Sequence, residues 1–119
     1  MNTRKIGQHY EEVAAAYLAN EGIRIIDRNV TCGRIGEIDI IGVQPSEKDD
    51  EPETLIFFEV KYRKSASYGY PVQAVDLKKQ TKLRRCAEYY LAYKKNDSYI
   101  RFDVIAMEGE KITWYKNAF

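Results

Sequence analysis

The sequence predicts an α/β fold in which helices flank a mixed central sheet of restriction-endonuclease-like type, in the order α-β-β-β-α-β-β. In two segments, apolar residues recur every three or four positions, which is the period of an amphipathic helix. Five other segments are rich in β-branched and aromatic residues and are bounded by turn residues. The chain has 119 residues, 45% of them hydrophobic, which suits one compact core. We therefore expect a single domain over residues 1–119.

The two predicted helices differ in what they carry. The first covers residues 6–18 and ends before Gly22. It places Glu11 on the same stripe as Gly7, whose missing side chain is expected to let the helix approach the sheet closely. The second covers residues 75–93 and is rich in bases. Its expected buried stripe consists of Leu77, Leu83, Ala87, Tyr90 and Leu91.

The predicted strands are separated by segments with turn chemistry. Cys32-Gly33 turns the chain between the first two strands, and the polar, proline-containing segment Gln44–Glu53 reads as an exposed hairpin loop. The third strand is the most continuously apolar and is expected to be central. The five strands are predicted at residues 22–30, 35–43, 54–63, 99–107 and 111–116.

Composition limits the cofactor and the cellular location. With two cysteines and one histidine, the chain cannot assemble the usual Cys/His zinc sites. Oxygen ligands would have to hold any metal, which favours Mg²⁺ or Mn²⁺. We find neither a run of about 18 apolar residues nor the apolar stretch of a signal peptide. The sequence therefore predicts a cytoplasmic protein without membrane contact.

Charge is unevenly distributed, although the net charge is only +1. Residues 44–53 carry five acids and one base, whereas residues 61–85 carry eight bases and one acid. A basic segment of this kind favours an anionic partner such as DNA. A solvated helix face would have the same composition.

Three charged residues in predicted strands could form one site. Glu59 and Lys61 are two apart and so project from the same side of a strand. Antiparallel pairing across the loop would bring Asp39 near Glu59. Two carboxylates can hold Mg²⁺ beside a phosphate, and a lysine can position the attacking water or stabilise the developing oxyanion. A salt-bridged group on a wet sheet face is the structural alternative.

Five motifs occur in order along the chain. They are Gly7-x-x-x-Glu11, GEIDII at 36–41, FFEVKYR at 57–63, the segment 74–80 with its Lys79-Gln80, and RFDVIA at 101–106. Together they resemble the YraN family of small bacterial proteins, which are in turn similar to archaeal Holliday-junction resolvases and other PD-(D/E)xK nucleases. The match covers nearly the whole chain.

The resemblance implies a fold, a site and an activity. Asp39 and Glu59 would be metal ligands, Lys61 the catalytic lysine, and Glu11 would complete both the metal site and the catalytic set. The implied activity is Mg²⁺- or Mn²⁺-dependent DNA endonuclease chemistry, with branched DNA as a candidate substrate and a homodimer by analogy. A DNA-binding or accessory module on the same fold is the alternative, and cleavage of RNA or single strands stays open.

Further residues are candidates for nucleic-acid contact. Gln80 resembles a position that often carries a polar residue near the metal or the DNA backbone. Tyr62, Tyr68 and Tyr70 could stack on unpaired bases or simply complete the core. Asp103 is expected to be structural, paired with an arginine. The predicted nucleic-acid-binding set is Arg63, Lys64, Lys78, Lys79, Gln80, Lys82 and Arg85.

Overall fold

A computed structural model of the protein describes residues 3–63, 75–94 and 98–119. Within these ranges the order of elements is the predicted one. Each strand and helix lies within a few residues of its expected position. The elements are α1 (Thr3–Asn20), β1 (Arg24–Thr31), β2 (Glu37–Gln44), β3 (Thr54–Arg63), α2 (Leu77–Lys94), β4 (Tyr99–Glu108) and β5 (Lys111–Tyr115).

The five strands form one sheet with the spatial order β1-β2-β3-β4-β5. Neighbours pair antiparallel, except that β3 and β4 run parallel along their full length, from Thr54 opposite Tyr99 to Arg63 opposite Glu108. Parallel strands need a long crossover, which here contains α2. The prediction of a mixed sheet with a central β3 is confirmed, as is the hairpin loop between β2 and β3.

Helix α1 ends where the sequence predicted, at a glycine. Gly22 adopts a positive φ of 91°, a conformation that costs glycine little. Its N–H donates to the carbonyl of Ala19, and the N–H of Ile23 donates to the carbonyl of Leu18. This pair of bonds is the Schellman motif, which satisfies carbonyls at the end of a helix. The reversal it produces leads the chain directly into β1.

Helix α2 begins with a side-chain cap. The Asp76 carboxylate accepts a hydrogen bond of 2.8 Å from the N–H of Lys79, the bond expected of an N-cap residue. Leu77, predicted to be in the buried stripe, is 79% exposed. That prediction was wrong because Leu77 is the first residue of the helix and faces away from the sheet. The buried stripe starts six residues later, at Leu83.

Each helix covers one face of the sheet. Ala14 and Leu18 of α1 pack with apolar residues of β2, β3 and β4, among them Ile40, Phe58 and Met107. On the other face, α2 packs against a second apolar cluster. Its buried members include Leu83, Cys86, Ala87 and Tyr90 from the helix and Ile38, Ile41, Leu55, Phe57 and Val104 from the strands.

A disulfide and a buried carboxylate tie the strands to the rest of the chain. Cys32, just after β1, forms a disulfide with Cys86 in α2, and both residues are buried. Asp103 in β4 is fully buried and accepts a bidentate pair from Arg101. It also accepts hydrogen bonds of 2.8 Å from the Trp114 indole and the Asn117 N–H. The predicted structural pairing of Asp103 with an arginine is confirmed.

In the described ranges, neither helix has the length and apolar character required to span a bilayer.

Candidate active site

The site forms where β2 and β3 separate. Their recorded backbone pairs run from Gln44 opposite Thr54 as far as Ile40 opposite Phe58. One residue further on, the Asp39 carboxylate accepts a 2.8 Å hydrogen bond from the N–H of Val60. This side-chain bond places Asp39 next to Glu59, as the sequence predicted. It also holds a carboxylate at the fork between the two strands.

Glu59 is buried, with 4% of its surface exposed, and it is held by two lysines. The Nζ of Lys61 lies 3.4 Å from its Oε1, and the Nζ of Lys79 lies 2.6 Å from the same atom. Burying a carboxylate without a cationic partner would cost several kcal/mol. The two ammonium groups therefore explain how Glu59 is tolerated in the middle of a sheet.

The two lysines differ electrostatically. Burial lowers the pKa of Lys61, and the neighbouring Lys79 lowers it further. Burial also disfavours the charged form of Lys79, but the hydrogen bond to Glu59 and the charges of Glu59 and Asp39 act together against it, and the pKa of Lys79 is raised. Of the pair, Lys79 is therefore the firmer cation and Lys61 the more readily deprotonated amine.

Three carboxylates gather on the other side of the fork. Oxygens of Glu11, Glu37 and Asp39 all lie within 4.8 Å of one another. In the orientation that satisfies its hydrogen bonds, the Asn29 side-chain amide donates to Glu37 (2.9 Å) and to Glu11 (2.6 Å). Asn29 belongs to β1 and has a positive φ of 51°, which asparagine tolerates better than most residues. One side chain thus links the acids of α1 and β2.

Burial and mutual repulsion both disfavour the charged forms of Asp39 and Glu11. Burial and the nearby Glu59 carboxylate raise the pKa of Asp39 from 3.8 to about 8. Burial and the Glu37 carboxylate also raise the pKa of Glu11. With a pKa of about 8, the Asp39 carboxyl holds a proton at neutral pH. In the absence of a cation, a proton takes the place of a positive charge.

These residues fit a hard divalent cation. Three carboxylates offer only oxygen ligands, which Mg²⁺ and Mn²⁺ prefer. A cation among them would replace the Asp39 proton and offset the burial and the repulsion that raise the pKa of Asp39. Asp39, Glu11 and Glu37 are the residues positioned to hold it. The Glu59 carboxylate lies outside this group of three, and its predicted role as a ligand stays a prediction.

Sequence reasoning missed two members of the site. Neither Glu37 nor Asn29 was among the residues predicted for the site. The signal for Glu37 was present, because it is two residues before Asp39 in one strand. Asn29 had no such signal, since its contact depends on the register between β1 and β2 and on its own positive φ.

The predicted nucleic-acid-binding residues fall into different places. Lys78, Lys82 and Arg85 are exposed on α2, where a groove of about 270 Å³ is lined by Asp76, Lys78, Lys79 and Lys82. The Gln80 side chain instead donates to the Val75 carbonyl at 2.9 Å, which uses one of its N–H groups inside the chain. Arg63 ends β3, half-buried. Lys64, Tyr68 and Tyr70 lie outside the described residues.

The structure also bears on the predictions made for Gly7 and Tyr62. A Cβ on Gly7 would meet no atom within 4 Å, so the prediction that Gly7 permits a close approach to the sheet was wrong. Tyr62 stacks on Tyr10 of α1, with ring centroids 3.7 Å apart and planes 15° from parallel. Both rings pack against the core on the α1 face. His9 is exposed, as expected of a helix-surface residue.

Fold and site together define a small α/β protein whose five-stranded mixed sheet gathers carboxylates and lysines at a fork between two strands. The model of Uncharacterised protein family UPF0102 matches residues 10–107. The chain belongs to this family, which confirms the resemblance predicted from its motifs.

Relatives in several bacteria match over their whole length or nearly so. A UPF0102 protein of Fusobacterium nucleatum is 43% identical over 118 residues, covering 98% of this chain and 92% of the relative. One from Marinobacter nauticus is 43% identical over 122 residues, covering 98% and 93%. One from Caldicellulosiruptor bescii is 39% identical over 127 residues, covering all of both chains. Their names state a family and no activity.

Proposed function

We propose that this protein is a Mg²⁺- or Mn²⁺-dependent DNA endonuclease that hydrolyses phosphodiester bonds. The observation that carries the proposal is the fork itself. There, three carboxylates that could hold a divalent cation lie beside a buried glutamate that two lysines contact. The three carboxylates are those of Glu11, Glu37 and Asp39. Metal, acid and ammonium in one place are what hydrolysis of a phosphodiester requires.

Each residue of the fork has a role in this proposal. Asp39, Glu11 and Glu37 would hold the cation, which supplies an activated water and neutralises charge on the phosphate. Glu59 and Lys79 keep each other in place through their 2.6 Å contact. Lys61, with its lowered pKa, positions the attacking water and donates to the oxygen on which charge develops. Asn29 orients the two glutamates that it bridges.

We propose that the exposed basic side chains of α2 contact the DNA backbone. They are Lys78, Lys82 and Arg85, which lie along one helix on the side of the fork that carries Lys61 and Lys79. Phosphates next to the cleaved bond would contact these side chains. Specificity for branched DNA and a homodimer that cuts two strands are part of the same proposal, by analogy with resolvases. The proposal also includes a location in the cytoplasm, where the protein would encounter DNA.

A DNA-binding module without catalysis is the second candidate function. The observation that favours it is the pairing of Glu59 with both lysines, an arrangement that is electrostatically satisfied without a metal. Such a module would bind DNA with a strong salt dependence, because phosphate contacts release counterions.

Cleavage of end-labelled DNA separates the two candidates. Linear, nicked, flap and four-way-junction DNA of one sequence would be incubated with protein and Mg²⁺, Mn²⁺ or EDTA, beside a Glu59→Ala/Lys61→Ala variant. The endonuclease proposal expects cutting that needs the metal and disappears in the variant. Salt-sensitive binding without cutting, retained in the variant, would instead support the binding module.

A further inference from the structure

A groove of about 230 Å³ opens beside the carboxylates that we propose bind the metal. It is lined by Gly7, Tyr10, Glu11, Asp39, Val60 and Tyr62. Because side chains alternate along a strand, Val60 and Tyr62 face away from Glu59 and Lys61. The fork therefore has a lysine side, suited to a phosphate, and a tyrosine side that the hydrolytic chemistry does not use.

The tyrosine side presents a fixed aromatic wall. Tyr10 and Tyr62 come from α1 and β3, and their rings are stacked with centroids 3.7 Å apart. This stacking joins α1 to β3 and holds the two rings against each other. Both rings are half-buried, which leaves part of each for the groove. An aromatic wall held in this way can receive a planar group with little loss of side-chain entropy.

The glycine in the groove has no structural explanation. Gly7 lies inside α1, where glycine costs about 1 kcal/mol relative to alanine. A Cβ there would meet no atom within 4 Å, so packing does not require the glycine. Its φ is not in the left-handed region, so backbone geometry does not require it either. What the missing side chain does provide is open space at the edge of the groove.

The size and chemistry of the groove suit one nucleobase. Pockets for drug-sized ligands occupy about 300–1,000 Å³, so 230 Å³ is enough for a single base and too small for a base pair. Glu11 and Asp39 would repel a phosphate entering this side without a cation, whereas a neutral base meets no such repulsion. A base in an intact duplex is held in its stack and cannot enter unless it is extruded.

We infer that this groove binds one unpaired base of the nucleotide next to the cleaved phosphate, so that DNA with unpaired nucleotides is the preferred substrate. The inference rests on the proposed endonuclease function and adds the substrate class. The backbone would bind on the lysine side of the fork while the adjacent base stacks in the groove, which is how proteins commonly bind unpaired nucleotides.

Fluorescence anisotropy in EDTA tests this binding without cleavage. The probes are a flap DNA and a fully paired duplex of the same sequence and length. Gly7→Met fills the groove, and Gln8→Met puts the same side chain on the next, exposed residue. We expect Gly7→Met to weaken flap binding about fivefold to a hundredfold. It should leave duplex binding within about twofold, and Gln8→Met should bind both probes as wild type does.

Melting temperatures separate an effect of the substitution on folding from an effect on DNA binding. Gly7→Met should melt at or above the wild-type temperature, because methionine is the better helix former. Flap binding unchanged in Gly7→Met, or equally weakened in Gln8→Met, would overturn the inference. Selective flap binding by a wild-type protein that cuts no DNA would support the groove and reject the endonuclease. Equal cutting of paired and unpaired DNA, also by Gly7→Met, would reject the groove and support the endonuclease.

Discussion

The Nζ of Lys79 lies 2.6 Å from Oε1 of Glu59, closer than the 3.4 Å separating that oxygen from the Nζ of Lys61. The nearer partner of the buried glutamate therefore comes from α2, although Lys61 is in the same strand two residues away. Helix α2, which exposes basic side chains to solvent, thus also contributes a lysine to the interior of the site. This relationship links the proposed DNA-binding surface to the proposed metal site.

Removing the Lys79 charge should strengthen metal binding. The ammonium repels a cation bound at the neighbouring carboxylates, and it occupies an oxygen of Glu59. We expect Lys79→Met to bind Mn²⁺ several-fold more tightly in a calorimetric titration, since one unit charge nearby contributes on the order of 1 kcal/mol in a partly exposed site. Lys82→Met, on the exposed part of the same helix, should bind as wild type does. Weaker Mn²⁺ binding by Lys79→Met would contradict the account.

Asp39 should make the metal-free protein less stable as the pH rises. Its pKa is about 8 in the folded protein, against 3.8 for the unperturbed group, so between these values the folded state holds a proton that the unfolded state has lost. Stability from this group is therefore complete below about pH 4 and declines up to about pH 8, by at most about 1.4 kcal/mol for each pH unit.

Asp39→Asn isolates that effect. Asparagine keeps an oxygen to accept the Val60 N–H but does not titrate. In urea unfolding with EDTA, the variant should gain stability relative to wild type as the pH is raised from 4 to 8, and Mg²⁺ should narrow the difference by stabilising only the wild type. A difference that stays constant with pH, or shrinks, would show that Asp39 is ionised without a metal.

How far the sequence could predict the site depended on the distance between contacting residues. Asp39, Glu59 and Lys61 were predictable because a two-residue period places charges within a strand and a short hairpin joins β2 to β3. The contact between Lys79 and Glu59 was not, because it crosses from β3 to α2 through the connection of a parallel pair. A run of lysines and arginines predicts a charged helix but does not show which of these side chains points inward.

The fold was predictable in its order and less so in its details. Alternation and helical periodicity gave all seven elements and the end of α1 at Gly22. Burial of Leu77 was predicted wrongly because periodicity does not mark the first residue of a helix. The role of Gly7 was also misjudged, since a missing side chain can permit a close contact or leave a groove, and the sequence does not distinguish these.

Reduction of the disulfide should cost substantial stability. Cys32 and Cys86 are 54 residues apart, and closing a loop of that length in the unfolded chain is worth about 4 kcal/mol. A reductant should lower the urea midpoint of the wild type but leave a Cys32→Ala/Cys86→Ala variant unchanged. An equal effect on both proteins, or on neither, would contradict the pairing. In a reducing cytoplasm the protein would have to fold without this bond.

Asp103 should matter for stability and not for the chemistry of the fork. Its carboxylate satisfies Arg101, Trp114 and the N–H of Asn117 at once. Asp103→Ala leaves these donors without their acceptor and should lower the free energy of unfolding by about 3–5 kcal/mol. Chemical denaturation at neutral pH measures this. A loss below 1 kcal/mol would mean that water replaces the carboxylate easily.

The most direct test of the central claim is the rate of Mg²⁺-dependent cleavage of flap DNA by wild type and by Glu59→Gln, with melting curves of both proteins. Glutamine keeps the size of Glu59 and one acceptor oxygen but removes its charge. The account predicts cleavage by the wild type that EDTA abolishes, and a loss of at least about 100-fold in a folded Glu59→Gln, because Lys61 and Lys79 lose the charge that positions them at the fork. No cleavage by the wild type, or cleavage that survives EDTA or the substitution, would contradict the proposal that this fork is a metal-dependent nuclease site.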